Sequence, residues 1–243
     1  RLPLGVRGAR PLRALSYVSP VASAQVKTAL LLAGLWADGP VSVAEPSRSR
    51  DHTERMLAGF GARLSVDGRT VTLTPGAELR GQGIAVPGDI SSAAFLLVAG
   101  TIVPEAEITV SGVGVNETRA GILEALESMG ARVNRSHAAL AAGEPVADLT
   151  TGSANLRGAL VGGPMIPRLI DEVPVLAVAA CVAQGRTRIT DAAELRVKES
   201  DRIRSIATEL GKLGARTEVG ADSLTVHPPE SIRSASIATR SAA

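Results

Sequence analysis

Three apolar segments, each rich in Ala and Leu, give the chain its clearest hydrophobic pattern. Their apolar residues do not fall on one face, which predicts helices that are buried on every side. A short segment rich in β-branched residues follows each of them and predicts a strand. The helical segments are 23–37, 91–100 and 173–183, and the strand segments are 41–45, 107–112 and 186–192.

A second helix, with a single apolar face, follows each predicted strand. In the last copy the apolar residues recur at alternating intervals of three and four, which places them on one side of a helix; they are Ile203, Ile206, Leu210 and Leu213. Each of these helices ends in the motif Leu-x-x-apolar-Gly-Ala-Arg, at 57–63, 126–132 and 210–216. Glycine is expected just past a helix end, where the backbone turns left-handed.

Strands and turns follow these motifs. Alternating residues at 63–66 and 69–74 flank Asp67-Gly68, a pattern that predicts a hairpin with a two-residue turn. A looser hairpin is predicted from strands at 216–219 and 223–227. The chain thus consists of repeated helix–strand–helix–strand–strand units, or βαββαβ once neighbouring segments are counted. This predicts an α/β fold of repeated units with buried inner helices and outer sheets.

Composition excludes several classes of protein. The 243 residues are 45% hydrophobic but 2% aromatic, so the core must be built from aliphatic side chains. The net charge is +2 with both signs interspersed, which argues against nucleic-acid binding. The apolar stretches are too short to cross a bilayer, so no membrane association is expected. Cys181 lies in an apolar helical segment, which predicts an inert buried thiol in a cytoplasmic protein.

The start of the first apolar helix carries polar residues that a scaffold helix does not need. Ser23 is well placed as a helix cap, and Gln25 and Lys27 follow in the first turn. Free N–H groups and the helix dipole favour an anion at such a position. The alternative is a plain helix cap whose neighbours are solvated.

A second polar segment precedes the next helix. Arg48, Arg50 and Arg55 are interleaved with hydroxyl side chains there. Several guanidinium groups near a helix start can bind a phosphate through paired hydrogen bonds. The alternative is a solvated, charged entrance to the helix.

The strongest chemical pattern joins two distant segments. Asp171 and Glu172 stand directly ahead of the third apolar helix. On a helix, Lys198 and Arg202 share one face, and Glu199 lies at the edge of the apolar stripe. Such a group of charges needs an anionic ligand or a partner carboxylate, which predicts a site. The alternative is a helix stabilised by ion pairs; no metal-ligand spacing or glycine-rich phosphate loop occurs.

Five strings in the sequence resemble successive motifs of the 5-enolpyruvylshikimate-3-phosphate synthases. They stand in that family's order and at plausible spacing, and the resemblance runs from about residue 1 to residue 228. The strings are PVASAQVKTALLLAGL at 20–35, SRDHTERML at 49–57, VPGDISSAAFLLVA at 86–99, LIDEVPVLAVAA at 169–180 and ELRVKESDRI at 194–203.

The resemblance implies the family's fold, two domains assembled from βαββαβ units. It implies that residues 1–85 are part of the first domain and residues 86–243 part of the second. Ser23, Ala24 and Gln25 are similar to residues that hold shikimate 3-phosphate, and Gln25 also reaches phosphoenolpyruvate. Arg50 resembles an arginine that binds the shikimate phosphate in one branch of the family.

The same resemblance implies catalytic roles in the second part of the chain. Asp171 is similar to the base near the 5-hydroxyl, and Lys198 to the lysine at that hydroxyl. Glu199 resembles a residue that transfers a proton at the methylene carbon, and Arg202 an arginine that binds phosphoenolpyruvate. The implied enzyme is a transferase of aromatic amino acid biosynthesis, the shikimate pathway. It is expected to be a cytoplasmic monomer without a metal or organic cofactor.

The sequence also departs from the family pattern. The family's opening block, with a lysine, a serine and an arginine that bind both substrates, is absent, and so is its late Gly-Asp-His-Arg block. We therefore expect this polypeptide alone to have little or no activity. One alternative is the related UDP-amino-sugar enolpyruvyl transferases, which typically use a reactive loop cysteine, unlike Cys181. The other is an inactive or partially binding fragment, or a non-catalytic repeat module.

Overall fold

The computed structural model of the chain describes residues 5–198 and 200–236. Contacts within the chain separate two compact units, Arg1–Ala85 and Val86–Ala243. Among the described residues, the first unit contains one sheet and the second contains two. We call them unit 1 and unit 2 and describe each by itself.

Unit 1 is a four-stranded sheet with two helices. The strand order is β1-β2-β4-β3, with β1 parallel to β2, and β4 antiparallel to both of its neighbours. The elements are β1 (Leu15–Val18), α1 (Ala24–Gly34), β2 (Val41–Ala44), α2 (His52–Gly59), β3 (Arg63–Asp67) and β4 (Thr70–Thr74). The predicted hairpin is confirmed, although its turn is Gly68-Arg69, one residue later than expected.

The first repeat of unit 2 has a three-stranded antiparallel sheet in the order β5-β7-β6. A parallel β-bridge between Gly88 and Val113 takes the place of the parallel pairing that the first strand makes in unit 1. The elements are α3 (Ile90–Ile102), β5 (Glu107–Gly114), α4 (Gly121–Ser128), β6 (Val133–Ala141) and β7 (Glu144–Gly152).

The second repeat of unit 2 has the strand order β8-β9-β11-β10. Its first pair is parallel and the other two pairs are antiparallel, as in unit 1. The elements are β8 (Leu160–Val161), α5 (Ile166–Leu169), α6 (Val173–Ala180), β9 (Thr187–Ile189), α7 (Arg202–Lys212), β10 (Arg216–Val219) and β11 (Leu224–His227), with short 3-10 helices at Gly163–Met165 and Ala193–Arg196. The predicted α/β fold of repeated units is therefore confirmed.

The repeated Gly-Ala-Arg motifs end α2, α4 and α7 as predicted. Gly61, Gly130 and Gly214 have φ angles of 92°, 96° and 98°. An L-residue with a Cβ rarely adopts this left-handed backbone, so glycine allows the chain to leave each helix and enter the next strand.

The inner helices are buried to different degrees. In α6 most side chains are fully buried and belong to one core that both repeats of unit 2 share. In α1, by contrast, Val26 and Leu32 are each 39% exposed, and in α3 Phe95 is 63% exposed. The expectation of burial on every side is therefore wrong for α1 and for one face of α3. Within the described residues, no element covers these apolar faces.

Candidate functional site

The first group of predicted site residues lies at the start of α1. Ser23 is the N-cap, as predicted, and its side chain accepts a hydrogen bond from the N–H of Val26 at 3.4 Å. Ser23 and Ala24 are half-buried and Gln25 is exposed. The helix dipole and the N–H groups of the first turn favour an anion at this position.

The position of Lys27 contradicts the role in anion binding that its spacing suggested. It is 1% exposed, and its Nζ lies 3.0 Å from Glu45 Oε2 and 2.7 Å from Glu54 Oε1. The lysine points into unit 1 and is neutralised by two carboxylates. It is therefore neither a solvated neighbour of the cap nor part of the anion site, because its charge already serves a buried ion-pair network.

Glu45 connects the start of α1 to the loop that precedes α2. Its Oε1 accepts a hydrogen bond from the N–H of Ser23 at 3.1 Å. Its Oε2 accepts from the Ser49 hydroxyl at 2.9 Å and from the Ser49 N–H at 3.4 Å. Because Arg50 directly follows Ser49, one carboxylate links both segments of unit 1 that carry predicted site residues. The sequence pattern did not indicate this role for Glu45. The feature that could have indicated it is the lone lysine in an apolar helix, because a buried lysine needs a buried partner.

Two of the three arginines predicted to bind a phosphate are paired with a carboxylate. Arg48 and Arg55 both bind Asp51, with N–O distances of 2.7 and 3.0 Å. Both arginines therefore stabilise the N-cap residue of α2 through ion pairs. Arg50 is half-buried and directly precedes Asp51, the N-cap residue of α2.

In unit 2 the structure brings together two of the predicted site residues. Arg202 Nη1 lies 3.2 Å from Asp171 Oδ1, and the side chains are 27% and 30% exposed. Asp171 stands just before α6 and Arg202 is the first residue of α7. The two helix starts therefore place a carboxylate and a guanidinium side by side in a partly solvated position.

Lys198 and Arg202 do not share a helix face, which contradicts the prediction from their spacing. The helix α7 begins at Arg202, and Lys198 lies in the preceding bend. Lys198 Nζ forms an ion pair at 2.7 Å with Glu194 Oε1. Glu199 lies outside the described residues, so its predicted position stays a prediction.

Asp201 explains why the helix begins where it does. Its side chain accepts a hydrogen bond from the N–H of Arg204 at 3.0 Å, which caps α7. Arg196 binds the Asp201 carboxylate at 2.6 Å and also donates to the carbonyl oxygens of Gly220 and Ala221. The hydrogen bond from Arg204, together with the charge of Arg196, holds the pKa of Asp201 below its ordinary value. These contacts hold Arg196 and Asp201, on either side of Lys198, in place.

Arg119 was not predicted, yet it connects the starts of α3 and α6. Its Nη2 donates to Asp89 Oδ1 and to the Ser91 hydroxyl, both at 2.9 Å. Ser91 in turn donates to the buried carboxylate of Glu172, the neighbour of Asp171. Burial raises the pKa of Asp89, but hydrogen bonds from Arg119 and Ser92 outweigh it and leave that pKa below its ordinary value.

Cys181 is buried, as its apolar setting predicted. Burial raises the pKa of its thiol to about 11. A thiol with such a pKa is almost entirely protonated at neutral pH, and the protonated form is a poor nucleophile.

Residues 5–198 and 200–236 contain neither a candidate membrane span nor a candidate metal cluster. None of the helices there combines the length and the apolar character needed to cross a membrane. In that part of the chain, no group of three or more His, Cys, Asp and Glu side chains is arranged to hold a metal ion.

Comparison with known proteins gives a consistent result. The model of the EPSP synthase (3-phosphoshikimate 1-carboxyvinyltransferase) family matches residues 1–241. The 3-phosphoshikimate 1-carboxyvinyltransferase of Gloeobacter violaceus is 59% identical over 226 residues, 93% of this chain and 52% of that protein. The enzyme of that name from Geobacillus kaustophilus is 55% identical over 224 residues, 92% of this chain and 52% of that protein. The chain thus spans about half the length of the curated relatives it matches.

Solved structures agree with the sequence comparisons. An EPSP synthase from Acinetobacter baumannii superposes with a TM-score of 0.83 at 44% identity, covering 89% of this chain and 49% of that one. The enolpyruvyl transferase NikO from Streptomyces tendae superposes with a TM-score of 0.63, covering 82% of this chain and 45% of that one. At 22% identity, the latter likeness supports the fold alone. Because the family model matches almost the whole chain and its relatives have closely similar sequences, the chain belongs to the EPSP synthase family.

Proposed function

We propose that this chain supplies part of the site that transfers the enolpyruvyl group of phosphoenolpyruvate to the 5-hydroxyl of shikimate 3-phosphate. Phosphate is the second product, and the reaction belongs to aromatic amino acid biosynthesis. The observation that carries this proposal is the family match over residues 1–241. Every residue for which the sequence motifs imply a role lies within that range.

In unit 1 the proposed function is recognition of shikimate 3-phosphate. Ser23, Ala24 and Gln25 would bind it at the start of α1, where N–H groups and the helix dipole favour a phosphate or carboxylate. Arg50 would bind the shikimate phosphate, since a guanidinium matches the geometry of phosphate oxygens. The link through Glu45 supports this proposal because it ties both segments to one carboxylate.

In unit 2 the proposed function is chemistry on the two substrates. Asp171 would accept the proton of the 5-hydroxyl as that oxygen attacks C2 of phosphoenolpyruvate, and Glu199 would deliver a proton to C3. The resulting tetrahedral ketal then returns a proton from C3 to Glu199 as the bond from C2 to phosphate breaks, which restores the enol double bond and releases phosphate. The ion pair with Arg202 supports this arrangement, because it holds the proposed base and a phosphoenolpyruvate-binding arginine side by side. Lys198 and Arg202 would stabilise charge on the anionic substrates.

For the chain by itself, we propose binding without appreciable turnover. It spans about half the length of its relatives, and the cationic blocks that the family places before and after these motifs do not occur in it. We further propose that residues 1–85 and 86–243 are parts of two domains and that the protein is a cytoplasmic monomer. The single cysteine, which is a buried free thiol, supports the cytoplasmic location.

Calorimetric titration of the 243-residue chain with shikimate 3-phosphate tests the binding role. We expect saturable binding that Arg50→Ala weakens by about tenfold or more, because a charge-assisted hydrogen bond to phosphate is lost. The matched control is Arg48→Ala, which removes a neighbouring arginine whose partner is Asp51. Equal affinities of the two variants for shikimate 3-phosphate would contradict the role of Arg50. Binding of a UDP-linked amino sugar in place of shikimate 3-phosphate would favour the related transferases.

Release of phosphate from a mixture of both substrates completes this test. We expect a rate close to the background of the mixture without protein. A steady-state rate normal for a synthase would contradict the proposal that the chain alone lacks appreciable turnover, while leaving the binding role intact.

A further inference from the structure

We propose that Glu45 is a positioning residue, which holds the two shikimate-phosphate-binding segments of unit 1 in one fixed arrangement. The proposal rests on the proposed function above for the identity of the ligand. Glu45 itself is 7% exposed and lies just past the end of β2, so it would act through its neighbours rather than on the substrate.

The hydrogen bonds of Glu45 divide between the two segments. One carboxylate oxygen receives the N–H of Ser23, the residue that caps α1. The other oxygen receives the hydroxyl and the N–H of Ser49, which directly precedes Arg50. A rigid planar group therefore fixes the distance between the helix start and the loop.

Lys27 holds the carboxylate in this orientation. Its ammonium group contacts Glu45 Oε2 at 3.0 Å and Glu54 Oε1 at 2.7 Å, and all three side chains are at least nine-tenths buried. A further hydrogen bond, between the hydroxyls of Thr28 and Thr53 at 2.6 Å, ties α1 to α2 at the residues next to Lys27 and Glu54. Buried charges keep a single geometry because any other arrangement leaves a charge without a partner.

Glu45→Gln and Glu54→Gln each remove one negative charge from the buried cluster. Comparing them distinguishes a positioning role of Glu45 from a contribution to stability. In Glu45→Gln, the side-chain amide must face either Ser23 or the Lys27 and Ser49 donors, so donors oppose each other on one side. In Glu54→Gln, the carbonyl can still accept from Lys27, and the amide takes the place of Oε2, which has no hydrogen-bond partner among the described residues. Both variants lose one negative charge from the same buried cluster, but Glu45→Gln alone disturbs the link.

Two measurements on the 243-residue chain test the positioning role of Glu45, after thermal unfolding has shown that both variants fold. Hydrogen exchange read by mass spectrometry should show faster exchange in peptides covering 20–28 and 46–52 for Glu45→Gln, and rates near those of the unmodified chain for Glu54→Gln. Calorimetry should show about tenfold weaker binding of shikimate 3-phosphate by Glu45→Gln, and a much smaller change for Glu54→Gln.

The two measurements also keep this proposal distinct from the proposed function. If the unmodified chain binds no shikimate 3-phosphate, the proposed binding role fails, and hydrogen exchange alone decides whether Glu45 fixes the two segments. Unchanged exchange in either segment of Glu45→Gln overturns the positioning role. So does a loss of affinity that Glu54→Gln reproduces in full, because that result reflects the lost charge and not the lost link.

Discussion

Lys27, Glu45 and Glu54 form a buried charge cluster inside a unit whose core is otherwise aliphatic. Moving a charge out of water costs several kcal/mol, and close pairing only roughly offsets that cost. Such a cluster contributes little to net stability compared with apolar residues of the same volume. Its consequence is a fixed geometry, and the residues it fixes are the ones at the start of α1 and before α2.

Asp171 and Arg202 show the complementary case of a partly exposed pair. Their side chains are 30% and 27% exposed, so water screens the attraction and the pair can open at low cost. An anionic substrate that binds Arg202 would compete with Asp171 for the same guanidinium. The sequence motifs pointed to both residues, but their contact depends on the meeting of two helix starts far apart in the chain.

Cys181 permits a direct test of burial at the residue scale. With a pKa of about 11, about a thousandth of the thiol is ionised at pH 8, and the side chain is also shielded from reagents. We expect iodoacetamide to label the folded chain very slowly at pH 8 and the chain unfolded in guanidinium within minutes, as measured by intact mass. Rapid labelling of the folded chain would show an exposed, activated thiol instead.

At the scale of elements, the sequence predicted most helices and strands because local patterns determine them. The spacing of apolar residues indicated α7, and the glycines of the repeated motif marked where three helices end. The loop at Lys198 was missed because its charges fit a helix equally well by spacing. Arg196 holds the start of this segment against the carbonyls of Gly220 and Ala221, a contact between distant parts of the chain that no local pattern reveals.

The N-cap of α3 provides a prediction at the same scale. Asp89 accepts a hydrogen bond from the N–H of Ser92 at 3.0 Å and pairs with Arg119. We expect Asp89→Ala to lower the free energy of unfolding by about 1 kcal/mol at pH 7. Asp89→Asn should cost less, since asparagine also caps helices well but lacks the charge that faces Arg119.

Acid should abolish the difference in the free energy of unfolding between the native chain and Asp89→Asn. The folded-state pKa of Asp89 lies below its ordinary value of 3.8, so its charge stabilises the folded chain above that value. This contribution is lost as the pH falls through the folded-state pKa. Urea unfolding measured at pH 7 and at successively lower pH, down to about pH 2, follows this loss. An advantage of aspartate that persists undiminished at the lowest pH would contradict the assignment.

At the scale of the whole molecule, the repeats explain both what the sequence predicted and what it could not. The recurring motifs indicated repeated units, and strand order and direction are the same in unit 1 and in the second repeat of unit 2. The all-round apolar pattern of α1 predicted burial that this chain does not provide, since Val26 and Leu32 are each 39% exposed. Periodicity records how apolar a face is, but it does not record which part of a protein covers it.

The two units have separate cores of very different size, and this difference predicts their order of unfolding. The core of unit 1 is a small cluster, namely Leu31, Val43, Leu57, Val71 and Leu73. The core of unit 2 is a much larger cluster that runs through α3, α4, α6 and α7. Because hydrophobic stabilisation grows with the apolar area buried, unit 1 should be the less stable of the two.

Hydrogen exchange in increasing urea can measure this order directly. We expect amides of α1 to become exchangeable at a lower urea concentration than amides of α6, with two separate midpoints. Leu31→Ala, in the core of unit 1, should lower the first midpoint and leave the second in place, whereas Leu176→Ala in α6 should lower the second. A single midpoint that both substitutions shift together would mean that the units unfold as one, in spite of their separate cores.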